Sequence, residues 1–252
     1  MLILHRSERS DRLVDALAAL LTEPLDDPVA AEVVSVPTRG VERWITQRLS
    51  HVLGAGPRSA DGVCANLRFP FPGVLVARAT ASGSGMDPDA DPWLPERLVW
   101  PVVEAIDRGR RDARLAPLIR HLEAATPPPP GRSRPVGEEG GAPRLRRLAT
   151  ARHIAELFDR YAVHRPEMLR DWAGGGDGGA PGEAAWQPHL WRLVRDRVDG
   201  RSPVERLDQA IEWIRSEPGA LDLPPRISVF GLTRLPSAQL AVLEAIASHR
   251  DV

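Results

Sequence analysis

Lysine is missing altogether: all 33 basic residues of the 252-residue chain are arginine. GC-rich coding, in which arginine and alanine codons displace lysine codons, is the simple cause, but the chemical consequence holds regardless. The chain has no Walker A ammonium for a triphosphate, no Schiff-base amine and no lysine for an ExK-type nuclease site. Cysteine is almost as scarce. Cys64 stands alone, which rules out a disulfide framework or a thiolate metal cluster within the chain and makes a reducing cytoplasm the default compartment. Long apolar runs are also lacking, since none approaches the roughly 20 residues that span a bilayer. The opening MLILHRSERSDRL turns charged after four residues, too soon for a signal-peptide core. The expectation is a soluble, cytoplasmic protein with no membrane association. Its seven histidines show no HExxH or other ligand spacing, so no metal site is expected, and His153 and His164 read as surface residues. No GxSxG elbow marks a hydrolase triad.

What remains is ordinary globular composition, 42% hydrophobic and 27% charged, in a chain long enough for a sizeable core. A formal charge of −1 supplies no global attraction to nucleic acid, so any such binding must come from a local patch.

Hydrophobic patterning alternates short strands with amphipathic helices. Leu2–His5 reads as a buried strand, and Ser7 as the cap of a helix that carries Leu13, Val14, Leu17 and Leu21 on one face. Glu32–Val36 is a second strand, followed by a helix with Val41, Trp44, Ile45, Leu49 and Val52 on its inner stripe. NLRFPFP, residues 66–72, is extended, because its prolines forbid a helix. A polar loop over 80–92 leads to helices over 93–108 and 112–124. Residues 126–143, TPPPPGRSRPVGEEGGAP, read as a disordered or polyproline insertion. The stretch 144–172 is helical with a break at Pro166, 173–183 is a glycine-rich loop, and helices follow over 187–199 and 203–216. Arg226–Phe230 is a strand and Pro236 opens a last helix. The closing SHRDV reads as a further strand starting, so the chain is expected to be the front piece of something longer. The pattern implies an α/β fold with a mostly parallel sheet. Residues 1–79 and 220–252 would form its α/β core, and 80–219 a mainly helical subdomain.

Three motifs invite a function. Gly174-x-Gly176-x-x-Gly179 matches the dinucleotide fingerprint by letters, but it follows a helix rather than a strand and opens no clear helix, so it reads as a loop. Residues 144–170 hold seven arginines against three carboxylates, either a solvated helix face or a phosphate-binding one. Finally, VVSVPTRG and ISVFGLTR each place Thr-Arg past the end of a strand and before a helix. Ligands of open α/β sheets bind at that edge, where helix amides attract anions. The recurrence is either chance or a site.

Taken together, HRSERSDRLVDAL, VPTRGVERWITQRLSHVLG, NLRFPFP, AELFDRYAVHRPEMLRDW, WQPHLWRLV and ISVFGLTRLPSAQLAVLEAIASHRDV resemble the N-terminal region of the RecC family, the gamma subunit of exodeoxyribonuclease V or RecBCD. The blocks stand in the family's order and cover nearly all of the chain outside its loops and proline segment. The resemblance implies a helicase-like domain of P-loop NTPase type that has lost its ATP-binding motifs. It implies no cofactor in this chain, with ATP and magnesium used by the partner beta and alpha subunits. It implies a non-catalytic subunit that braces those motors, helps split a duplex end and guides the 3′ single strand past a Chi-scanning surface, in double-strand break repair and recombination. The residues matching that surface are Thr38, Arg39, Gly40 and Arg43 at the strand–helix junction, Phe71 in FPFP, Leu157, Asp159, Arg160 and Arg165 in ELFDRYAVHRP, and Arg206 in SPVERL. Phe158 and Tyr161 read as core. Pro37, Arg39 and Arg43 stand where enterobacterial members carry smaller or amide side chains, and Ala77 replaces an aromatic. Strand passage therefore carries over better than reading of a particular octamer. The rival reading is a structural domain that contacts only the partner subunits.

Overall fold

The structure is a computed structural model and describes residues 1–27, 29–57, 62–82, 85–124 and 141–252, with only the backbone described for 141–144. Most of the proline-rich segment 126–143 lies outside the described residues; its last three positions already belong to a helix. In chain order the elements are α1 (Ser10–Leu21), β1 (Glu32–Ser35), α2 (Arg39–Leu49), β2 (Leu67–Arg68), α3 (Pro72–Ser82), α4 (Pro95–Arg108) and α5 (Ala116–Glu123). Then come α6 (Gly141–His164), α7 (Pro166–Ala173), α8 (Trp186–Arg195), α9 (Pro203–Ser216), β3 (Ile227–Val229) and α10 (Ser237–Ala247). The chain forms two compact units: Met1–Pro88 with Gln209–Val252, and Asp89–Asp208.

The first unit is built on a parallel three-stranded sheet of order β2-β1-β3. β1 is central because it is apolar on both sides; Val33, Val34, Ser35 and Val36 are all buried. Val34 and Val36 pack with Val14, Leu17 and Ala18 of α1, Ile45 and Leu49 of α2, and Phe230. Register is fixed at the start of the strand, toward both of its neighbours. Asn66, in the left-handed region at φ 59°, donates its side-chain amide to the Ala30 carbonyl at 2.8 Å and accepts the Glu32 amide on its own carbonyl at 3.0 Å. Arg226 pairs with Glu32 across β1 and β3.

The outer edge departs from the sequence expectation. Leu2–His5 is not a strand, and Leu2, Ile3 and Leu4 are exposed. The Ile3 amide donates to the Val252 carbonyl and the Val252 amide to that of Met1, while Asp251 forms a parallel bridge with Arg226. The first residues thus flank the last ones, and three apolar side chains with one paired neighbour stay exposed. Ser7 does not cap α1 either. Its hydroxyl accepts the Arg9 amide, and the helix begins at Ser10.

The second unit is helical. α4 and α6 are its main pair, with Leu98, Val102, Ala105 and Ile106 facing Ala151, Ile154, Ala155 and Phe158. Pro166 ends α6 as the sequence requires, since the preceding Arg165 adopts φ −141° and Pro166 supplies the first position of α7. An aromatic group centres the core: Trp172 meets Phe158, Tyr161 and Trp191 edge-on at centroid distances of 6.5, 5.8 and 6.4 Å. Phe158 is buried and Tyr161 half-buried, its hydroxyl donating to Gln187 at 3.0 Å, so both are core residues as read from sequence.

Candidate nucleic-acid interface

Parallel strands send their carboxyl ends to one edge, and three turns meet there: Val36–Thr38 after β1, Phe69–Phe71 after β2 and Phe230–Pro236 after β3. Their proximity is set by backbone bonds. The Val36 amide donates to the Pro70 carbonyl at 3.1 Å, and the Phe230 amide to that of Ser35 at 2.8 Å.

Thr38 is the N-cap of α2. At φ −150° and ψ 156° its Oγ1 accepts the Val41 amide at 3.2 Å, and its carbonyl accepts the Glu42 amide at 3.1 Å. The Arg39 and Gly40 amides are left without a backbone acceptor among the described residues, so the partial positive charge of the helix end concentrates on them. Gly40 is exposed, and a β-carbon there would meet only Thr38 Oγ1, at 3.6 Å. Arg39 and Arg43, one helical turn apart, are exposed on the side opposite Ile45 and Leu49, and neither meets a carboxylate among the described residues. Phe71 is 39% exposed at the same edge, and its carbonyl starts α3 by accepting the Leu75 amide. Thr38, Arg39, Gly40, Arg43 and Phe71 are therefore brought to one sheet edge.

The other matched residues belong to the second unit, where they are less alike. Arg160 and Arg165 are exposed and without an ion pair among the described residues. Leu157 is half-buried in α6. Asp159 is exposed on one side but lies at the rim of a small cavity lined by Trp93, Leu98, Phe158 and Trp191. Burial pushes its carboxyl up, the Glu96 charge adds to this, and Arg160 and His164 oppose it. Arg206 is mostly covered and donates to Asp91 at 2.5 Å. A DNA strand would compete with Asp91 for it.

Three-dimensional context also sorts the arginine-rich stretch. Arg147 pairs with Asp107 at 2.8 Å, and Arg170 with Glu167 and, at 2.9 Å, Asp208. Arg152 joins Arg160 and Arg165 as exposed cations without an ion pair among the described residues, and His153 and His164 are exposed as expected.

The Gly174–Gly179 loop is no cofactor cradle. It folds back on its own helix: Asp171 accepts the Gly178 amide at 2.7 Å, Trp172 Nε1 donates to the Asp177 carbonyl, and Arg192 donates to the Trp172 and Gly176 carbonyls. A β-carbon on Gly176 would fall 2.1 Å from the Asp171 carboxylate, and one on Gly178 2.6 Å from Trp172 Nε1. These glycines serve close approach.

Among the described residues, no group of three or more histidine, cysteine or carboxylate side chains is placed to hold a metal ion. No helix there is long and apolar enough to cross a membrane. Sequence reading gave no role to Ser35, whose buried hydroxyl has no hydrogen-bond partner among the described residues, and left open as chance or a site Thr233 and Arg234, which are exposed in the turn after β3. The repeated Thr-Arg pair was the available signal for the latter two.

A family model described as RecC, N-terminal domain, matches residues 2–252. The chain is 43% identical over 249 residues to the RecBCD enzyme subunit RecC of Mycobacterium tuberculosis, covering 99% of this chain and 21% of that protein. It is 41% identical over 249 residues to the same subunit of Mycolicibacterium smegmatis, covering 99% and 20%, and 25% identical over 263 residues to that of Escherichia coli, covering 100% and 21%. It thus spans about a fifth of the length of the curated relatives it matches. With the family model matched from residue 2 to 252, the chain belongs to the RecC family and corresponds to its N-terminal domain.

Proposed function

We propose that the chain is the non-catalytic, DNA-contacting N-terminal part of a RecBCD-type helicase–nuclease acting in double-strand break repair and recombination. It guides the 3′ single strand beside the beta and alpha motor subunits, which supply ATP hydrolysis and its magnesium. The carrying observation is the sheet edge where Arg39 and Arg43 stand exposed, with no ion pair among the described residues, beside the capped start of α2. Arginines on the backbone and a flat ring to stack bases are what a single-strand track requires, and Phe71 provides the ring. Held on phosphate, these arginines carry no sequence information, which favours strand passage over recognition of a Chi-like octamer at these positions.

A helicase-like origin of the first unit draws support from its strand order. The parallel order β2-β1-β3 continues through Asp251 to Met1–Ile3, so the chain's first segment lies beyond its last. With no lysine in the chain, the fold would keep this framework and bind no nucleotide of its own.

The second unit favours a bracing role alongside. Arg206 is engaged by Asp91 and Leu157 is half-buried, which suits a scaffold held against protein partners. Arg160 and Arg165 remain its candidates for phosphate.

The test is binding of a 3′-tailed duplex, across a salt series, by the complex assembled with the beta and alpha subunits. Arg39→Glu with Arg43→Glu should weaken the tail contact and lower the salt slope by about 1.4, two phosphates at about 0.7 each for single strands. Parallel slopes with equal affinities would favour a purely partner-binding domain.

A further inference from the structure

The crevice between the carboxyl ends of β1 and β3 is a topological switch point. From β1 the chain passes through α2 to β2 on one side; from β3 it passes through α10 to Asp251 on the other. Crossovers between parallel strands are right-handed, so two that run in opposite directions place their helices on opposite faces. The packing agrees: α2 shares its core with α1, whereas α10 packs with α3. The chain therefore leaves β1 and β3 toward opposite faces of the sheet, and such a switch point is where open α/β sheets take ligands.

Both turns carry Thr-Arg. The first is Thr38-Arg39, and the second is Thr233-Arg234, both of whose residues are exposed. The turns are in contact. Gly231, at φ 71°, lies where a β-carbon would be 3.8 Å from Pro37 Cδ and 3.8 Å from Val41 Cγ1. That left-handed glycine lets the β3 turn bend against Pro37, and Leu232–Arg234 follow it in the same turn. Arg234 meets no carboxylate among the described residues, nor do Arg39 and Arg43. Between residues 36 and 43 and between 230 and 236, three arginines face a single carboxylate, Glu42. Three like charges at one edge with a single carboxylate among them repel one another, and a polyanion lying along that edge relieves the repulsion.

We propose that Arg234, with Thr233 as a neutral donor beside it, is a further phosphate-binding residue, and that the two Thr-Arg turns hold successive phosphates of one single strand across the β1–β3 crevice. This rests on the strand-guiding reading of the Thr38–Arg43 junction and extends the track to the opposite wall of the gap. It also gives the track a direction, since a strand held by both turns crosses the sheet edge from β1 toward β3 instead of following α2.

The experiment uses the same assembled complex, 3′-tailed duplex and salt series, with Arg234→Glu, Arg39→Glu/Arg43→Glu and the triple variant. One lost single-strand phosphate contact lowers the slope by about 0.7, which accumulates to about eightfold in affinity between 1 M and 50 mM salt. We expect that change for Arg234→Glu, with the triple variant weaker than the double. Thermal melting checks folding, and Arg234→Gln replaces the charge reversal if Arg234→Glu fails to fold. If the double variant loses slope and Arg234→Glu does not, the second turn is no part of the track and the strand-guiding reading stands. If no variant changes the slope, the reading of the whole edge falls. A loss confined to Arg234→Glu overturns a track shared by the two turns.

Discussion

Thr38 holds Val41: the threonine Oγ1 accepts the valine amide at 3.2 Å and closes the first turn of α2. This bond fixes the frame on which Arg39 and Arg43 stand. It also engages one lone pair of the hydroxyl and leaves its proton free to donate to an incoming phosphate oxygen.

Thr38→Ala should therefore cost about 1 kcal/mol of stability, the usual worth of an N-cap, and Thr38→Ser should restore most of it. Urea unfolding of the three forms measures the difference. Equal midpoints for all three would show that tertiary contacts alone hold the start of α2.

Arg206 should be more important to stability than Arg160. Its partner Asp91 is mostly covered, so Arg206→Ala leaves a carboxylate poorly hydrated and uncompensated, at a cost of about 1–3 kcal/mol. Arg160 is exposed, and its replacement should stay within about 0.5 kcal/mol. A double-mutant cycle with Asp91→Ala isolates the pair; a coupling energy near zero would return Arg206 to the set of available cations.

Two carboxyls in the second unit should respond to pH with opposite sign. Burial alone would raise Glu205, but hydrogen bonds from Arg195 and Ser202 outweigh it and hold the group at about 2, below its ordinary 4.5. A depressed folded value contributes stability that is present above the unfolded value and lost as pH falls from about 4.5 toward 2. Asp159 is shifted upward by burial, so its ionisation lowers stability as pH rises above the ordinary aspartate value. Melting against pH should show Glu205→Gln flattening the acid limb. Asp159→Asn should raise stability at neutral pH; a loss there would mean that its carboxylate is held by favourable contacts.

Within the glycine-rich loop, substitution should separate the positions. Gly178→Ala combines a left-handed backbone at φ 62° with contacts of 2.6 Å to Trp172 and 2.7 Å to Met168, and should cost more than about 2 kcal/mol. Gly174→Ala meets nothing closer than 3.5 Å at an ordinary φ and should be nearly neutral. Chemical denaturation of the two variants provides the comparison. Equal effects would mean that the loop does not rest on Trp172.

The letters of the sequence determined what depends on near neighbours. Helix phase was legible in α2, where Ile45 and Leu49 on one stripe specify the buried face and leave Arg39 and Arg43 outside. Pro166 had to end α6, because a proline restricts the residue before it. The absence of lysine excluded a Walker site without any coordinates. The Thr-Arg turns could be placed after strands from patterning alone, and the order of blocks was enough to suggest the family. What only the tertiary structure decided involves partners far apart in the chain. Arg206 looks like Arg160 in the sequence, yet a carboxylate 115 positions away engages it. Glu32 and Arg226 align β1 with β3 across 194 positions, and that alignment brings the two Thr-Arg turns to one sheet edge. Leu2–Leu4 has the composition of a core strand and lies exposed, because burial requires neighbours on both sides and composition does not supply them. Periodicity reports which face of an element is apolar; which surface covers that face, and which charge neutralises which, is settled when distant segments meet and exclude water.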